Sequence, residues 1–96
     1  MSAKEAYKQK IEADVELAHA KLAELKARAK ISKAEARIKY ARHIEELEQK
    51  VIDMKVKLKE LGDAGEDAWE HLKSGVESAY DALNTAVRNT TAWFKG

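Results

Sequence analysis

Residues 2–61 contain neither glycine nor proline, and an apolar side chain returns through them at helical spacing: Tyr7, Ile11, Val15, Ala18, Leu22, Leu25, Ala29, Ala36, Tyr40, Ile44, Leu47, Val51, Met54, Leu58 and Leu61. At about 100° of turn per residue these positions stay on one face of a helix. Such a face is a surface for other helices, so the chain reads first as a helix-packing protein. A second amphipathic pattern, Trp69, Leu72, Val76, Tyr80, Leu83, Val87 and Phe94, falls within about 80° on a helical wheel. The fold class expected is all-α, with a long helix over 2–61, a turn at 62–65 and a second helix over 66–94, all in a single domain spanning 1–96.

Local signals set these boundaries. Ser2 followed by Glu5 has capping-box spacing, and Leu61-Gly62-Asp63-Ala64-Gly65 supplies two residues that tolerate positive φ. Glu66, Asp67 and Glu70 occupy the first turn of the second helix, where the helix dipole favours anions. Residues 31–35 admit two readings. Ser32 and Glu35 repeat the capping-box spacing and Ile31 with Ala36 fits a hydrophobic staple, which would break the long helix and give a compact three-helix bundle. Against a break, no glycine or proline is present and the stripes on either side share one wheel phase, so the continuous helix is the favoured expectation.

A continuous helix would run about 90 Å and the second about 43 Å. The shorter one, folding straight back, would leave Tyr7, Ile11, Val15, Leu22 and Leu25 bare unless another chain or the N-terminal half itself covered them. Self-association is the economical expectation, with a helical partner protein as the variant. The association interface would comprise Tyr7, Ile11, Val15, Leu22, Leu25, Tyr40, Ile44, Leu47, Val51, Leu58, Trp69, Leu72, Val76, Tyr80, Leu83 and Val87. A second stripe of Ala13, Leu17, Ala20, Ala27, Ile31, Ala34, Ile38, Ala41, Ile52 and Val56 widens the face toward what a bundle of three or more helices uses. The mean stripe spacing of about 3.6 residues argues against a tightly supercoiled zipper.

Charge and composition narrow the class. The 96 residues hold 18 Lys and Arg against 17 Asp and Glu, no cysteine and no proline. The basic excess lies in 1–61 and the acidic excess in 62–96. No disulfide framework or thiolate chemistry is available, the charged start is followed by no apolar leader core, and no apolar run would cross a bilayer. A cytoplasmic protein is expected. Glu16 and His19 have the spacing of a half-site for a helical di-iron centre, but neither His43 nor His71 supplies a second copy, so no metal, cofactor or catalytic residue is expected.

Two further partners come from surface chemistry. The block Lys21, Lys26, Arg28, Lys30, Lys33, Arg37, Lys39 and Arg42 has the charge to track a phosphate backbone, yet its only interleaved aromatic is Tyr40, so a solvated helical face is the better account. Trp69, Tyr80, Trp93 and Phe94 suit a membrane interface, but Glu66, Asp67, Glu70, Glu77 and Asp81 carry the wrong sign for anionic lipid. Core packing is therefore preferred for that segment.

The strings Ala34-Glu35-Ala36-Arg37-Ile38-Lys39-Tyr40, Ile44-Glu45-Glu46-Leu47, Leu58-Lys59-Glu60-Leu61 and Glu66-Asp67-Ala68-Trp69-Glu70-His71-Leu72-Lys73-Ser74-Gly75-Val76-Glu77 resemble, in order, a family of short bacterial and cyanobacterial coiled-coil proteins labelled as stress-response proteins. Tyr80 stands where tryptophan is expected in many relatives. The resemblance covers nearly the whole chain and implies an all-helical cytoplasmic protein with no catalytic or ligand-binding residues to carry over. The function expected is that of a non-enzymatic coiled-coil scaffold or interaction protein, with peripheral lipid association and nucleic-acid or ribosome association as the rivals.

Overall fold

Ser2 starts the first helix as its spacing predicts: its Oγ accepts a hydrogen bond from the Glu5 amide at 3.2 Å. In this computed structural model, which describes residues 2–95 and only the backbone of Lys95, three helices follow: α1 (Ala3–Lys30), α2 (Ala34–Asp63) and α3 (Trp69–Lys95). No strand occurs among the described residues.

The expected continuous helix over 2–61 is corrected by a reversal at 31–33. Ile31 closes α1 in the right-handed region (φ −92°, ψ −2°), and Lys33 opens α2 in the extended region (φ −63°, ψ 151°). Any L residue adopts these conformations, and no described residue has positive φ, so the reversal needs neither glycine nor proline. Ser32 is occupied in ending α1 rather than in starting α2: its hydroxyl donates to the Ala29 carbonyl at 2.6 Å, and its amide donates to the same oxygen at 3.2 Å. Arg37 Nε then donates to the Ser32 carbonyl at 3.0 Å, pinning the turn from the α2 side. Lys33, the N-cap, makes no side-chain capping bond, so the capping-box spacing of Ser32 and Glu35 is not used.

The second turn lies slightly later than the expected 62–65. α2 runs through Gly62 to Asp63, Ala64 is extended (φ −74°, ψ 143°), and α3 begins at Trp69 after a turn in which the Gly65 carbonyl accepts from the Ala68 and Trp69 amides. Gly62 does not use an unusual φ. A Cβ there would lie 3.3 Å from Cε and Nζ of Lys8, which crosses from α1.

Helices of 28, 30 and 27 residues are each about 40–45 Å long, which matches a bundle measuring 51 × 19 × 19 Å. Neighbours in sequence are antiparallel. Tyr7 of α1 meets Trp69 at the start of α3 with ring centroids 5.8 Å apart, and Tyr40 near the start of α2 stacks on Phe94 near the end of α3 at 4.0 Å. α2 and α3 share the largest interface and α1 packs most lightly on α3.

The main stripe is the core of this bundle. Ile11, Val15, Ala18, Leu22 and Leu25 from α1, Ile44, Leu47, Val51, Met54, Leu58 and Leu61 from α2, and Trp69, Val76 and Leu83 from α3 are buried together. The N-terminal ridge expected to lie bare until another chain covered it is covered by α2 and α3 of the same chain. Burying each of these large side chains contributes about 1.5–3 kcal/mol, which favours the fold-back over an extended rod. Thr90 is also buried, in register with Trp69, Val76 and Leu83 at seven-residue steps.

Candidate functional site

The sequence-derived interface residues converge on the interior of one chain. Ile11, Val15, Leu22, Leu25, Ile44, Leu47, Val51, Leu58, Trp69, Val76 and Leu83 are buried, while Tyr7, Tyr40, Leu72, Tyr80 and Val87 are half-buried at its margin. Their helix–helix association is thus satisfied within the molecule, and surfaces free for a partner lie elsewhere.

The second stripe has the opposite fate. All ten of its members, from Ala13 to Val56, are exposed rather than widening the core-facing side. On α1 the row Ala13, Leu17, Ala20, Ala27 sits roughly opposite the buried Ile11–Leu25 row, and Leu17 is 71% exposed. Together with Ala6 this strip holds alanine at every seventh position from 6 to 27. α1 is therefore apolar on two faces, an arrangement that a helix at the edge of a three-helix bundle does not need for its own folding. On α2, Ile52 and Val56 line a shallow surface depression with Lys55, Lys59, Glu60 and Asp63.

At the end formed by the start of α1 and the α2–α3 turn, polar contacts fasten α1 to the rest. Lys4 Nζ donates to the carbonyls of Gly62 at 3.1 Å and Ala64 at 2.6 Å, placing a cation on the carbonyl-rich C-terminus of α2. Lys73 lies over the rings of Tyr7 and Trp69 at 5.1 and 5.2 Å. The Tyr7 hydroxyl donates to Glu77 Oε1 at 3.4 Å; burial first, and then the Glu77 charge and this bond, hold its pKa above the ordinary value. These groups are staples between helices.

The opposite end, formed by the α1–α2 connection and the last turns of α3, is cationic and partly apolar. Residues 25–44 and 84–94 carry eight lysines and arginines against one carboxylate, and the rest of the chain carries ten against sixteen. Lys26 pairs with Glu48 at 2.9 Å and Arg28 with Glu24 at 3.8 Å, whereas Lys30, Lys33, Arg37, Lys39 and Arg42 make no salt bridge among the described residues. Among these cations Ile31 is 86% exposed and Ile38 78% exposed. Trp93, off the main α3 stripe, is 46% exposed; its ring stands 4.6 Å from His43, and it shares a groove with Ile38, Lys39, Arg42 and His43. A larger groove between α2 and α3, about 690 Å³, opens beside it and is lined by His43, Glu46, Asp81, Asn89 and Trp93 among others.

Glu16 and His19 are exposed on α1, and His19 Nδ1 faces Lys55 Nζ at 3.4 Å. Among the described residues no group of three or more histidine, aspartate or glutamate side chains is arranged to hold a metal ion. No described helix is long and apolar enough to cross a membrane. Compared with protein-family models, curated proteins and solved structures, the chain matches none.

Proposed function

We propose that the protein is a non-enzymatic helical interaction module whose docking surface is the outer face of α1, used to pack against a second copy of the chain. The observation that carries this reading is the apolar strip Ala13, Leu17, Ala20 and Ala27, exposed along a helix whose other face already supplies the core. Alanine rows let two helix backbones approach at the short end of the 8–10 Å range, with Leu17 as the one large side chain to bury. Three alanines and one leucine bury too little to reach the ~800 Å² per partner of a standard stable interface, so the association is weak and concentration-dependent. The resemblance to the stress-response coiled-coil family belongs to the same proposal and supplies its setting, a cytoplasmic accessory role.

Sedimentation velocity across a concentration series tests it. The full chain should move from monomer toward dimer as concentration rises into the high-micromolar range. Leu17→Glu should abolish the shift without lowering the melting temperature, because this side chain lies outside the core. A single-chain mass throughout the series, or a Leu17→Glu variant that associates like the parent, would refute the reading.

A further inference from the structure

We propose that the α1–α2 end of the bundle docks end-on onto an anionic lipid surface. Ile31, Ile38 and Trp93 would enter the headgroup region, and the unpaired cations around them would face lipid phosphates and carboxylates. Of the α3 aromatics that the sequence offered for lipid, Trp69, Tyr80, Trp93 and Phe94, the site keeps only Trp93: Trp69 is buried in the core and Tyr80 and Phe94 are half-buried against it.

Three observations converge on this occupant. First, the end carries eight cationic residues against one carboxylate, and five of those, from Lys30 at the end of α1 to Arg42 in α2, lack a carboxylate partner among the described residues, so a negatively charged surface is the complementary one. Second, branched aliphatic side chains 86% and 78% exposed in the middle of that charge gain nothing from a phosphate backbone, which rewards cations and stacking aromatics. A bilayer interface rewards both, because cations near anionic lipid and apolar side chains at headgroup depth each add to binding, and the indole ring prefers that depth. Third, a bundle about 19 Å across presents an end smaller than the ~800 Å² per partner of a standard protein interface, so a protein docked there would be held only weakly, whereas a lipid surface sets no such scale. The acidic excess on the remainder of the molecule would be repelled by the same surface, which orients the long axis away from it.

Flotation of the full chain with vesicles tests the proposal, comparing phosphatidylcholine containing about one-third phosphatidylserine with pure phosphatidylcholine. Binding is expected to the anionic vesicles alone, with a blue shift of tryptophan emission as Trp93 leaves water. The double variant Ile31→Asp, Ile38→Asp should weaken binding at least about tenfold. Charge reversal at Lys33 and Arg37 should do the same. Ile31 and Ile38 are outside the core, so the first variant should keep the parent's circular-dichroism melting curve, and that curve certifies that it is folded. Failure to float with anionic vesicles at low salt overturns the proposal. Equal binding to pure phosphatidylcholine removes the charge argument, and indifference to the isoleucine changes removes the apolar one. Tighter binding to duplex DNA or RNA that the isoleucine variant retains would assign the end to nucleic acid instead.

Discussion

Leu25 and Leu17 lie on the same helix, two turns apart, one buried and one exposed, and truncating each to alanine tests the architecture directly. Leu25 is fully buried between α1 and its neighbours, whereas Leu17 is 71% exposed. Leu25→Ala loses the transfer free energy of the deleted atoms and leaves a cavity, so about 3 kcal/mol of destabilisation is expected. Leu17→Ala loses no packing and gains slightly in helix propensity, for a change within about 0.5 kcal/mol. A bundle this thin belongs near the lower end of the usual range, about 5 kcal/mol, so Leu25→Ala removes more than half of its stability. Urea denaturation followed by circular dichroism reads the difference. With a slope of about 1–1.5 kcal/mol per molar, the Leu25→Ala midpoint should fall by about 2–3 M while the Leu17→Ala midpoint barely moves. At low micromolar concentration, where the weak outer-face contact contributes nothing, both midpoints should be independent of protein concentration. If the N-terminal ridge were instead covered by a second chain, each tenfold dilution would lower the stability by about 1.4 kcal/mol. Equal shifts for the two variants, or a midpoint that falls on dilution in that range, would refute the fold-back of α1.

Solution X-ray scattering should give a radius of gyration close to the 15.4 Å of the Cα trace, increased slightly by side chains and hydration; a rod built on an unbroken helix of about 90 Å would give about 26 Å. Thr91 Oγ1 is buried with no hydrogen-bond partner, so Thr91→Val should raise stability by about 1 kcal/mol in the same urea assay. Lys4→Met should lower it by about 1 kcal/mol by removing the donors to the Gly62 and Ala64 carbonyls, with the loss reduced in high salt. Tyr7 has a pKa raised above its ordinary value of 10.0, so its neutral form is favoured by folding. That contribution is complete below about pH 10 and is lost as pH rises through the raised value, so Tyr7→Phe should flatten the fall in melting temperature on the alkaline side.

Much of this fold is legible in residue order. The Ser2 cap, the core stripes and the one-sided third helix follow from spacing alone, because each is a local pattern whose burial the bundle then supplies. The break at 31–33, with the three-helix bundle that follows from it, is one of the two readings that residues 31–35 admit, and the sequence ranks it second for a specific reason. Phase agreement between the stripes on either side favours continuity on the sequence alone, but three non-helical residues let each helix turn independently, so the agreement carries no information about a break. Nor does the lack of glycine, since one right-handed and one extended residue suffice. Opposite charges stand at i,i+4 in Lys8/Glu12, Glu24/Arg28, Glu35/Lys39, Glu46/Lys50 and Asp53/Lys57; the first two pairs form, while Asp53 instead accepts from Gln49 and Lys57 instead pairs with Glu60. Exposed side chains choose among partners of nearly equal energy, which sequence distance does not rank. Thr90 is polar and does not stand out in an apolar pattern, although the seven-residue row through Trp69, Val76 and Leu83 points to it. The candidate surfaces were the least legible part, because an apolar residue on a helix does not declare whether it faces inward until the helix has neighbours.

The uneven spread of charge has a practical consequence that the formal sum of +1 conceals. A molecule 51 Å long spans about six Debye lengths at physiological ionic strength, so its two ends act on their surroundings as separate ions. On exchange resins it should adhere to both the sulfonate and the quaternary-amine type, and in dilute buffer it should align in an applied electric field. Its isoelectric point describes an average that neither end possesses.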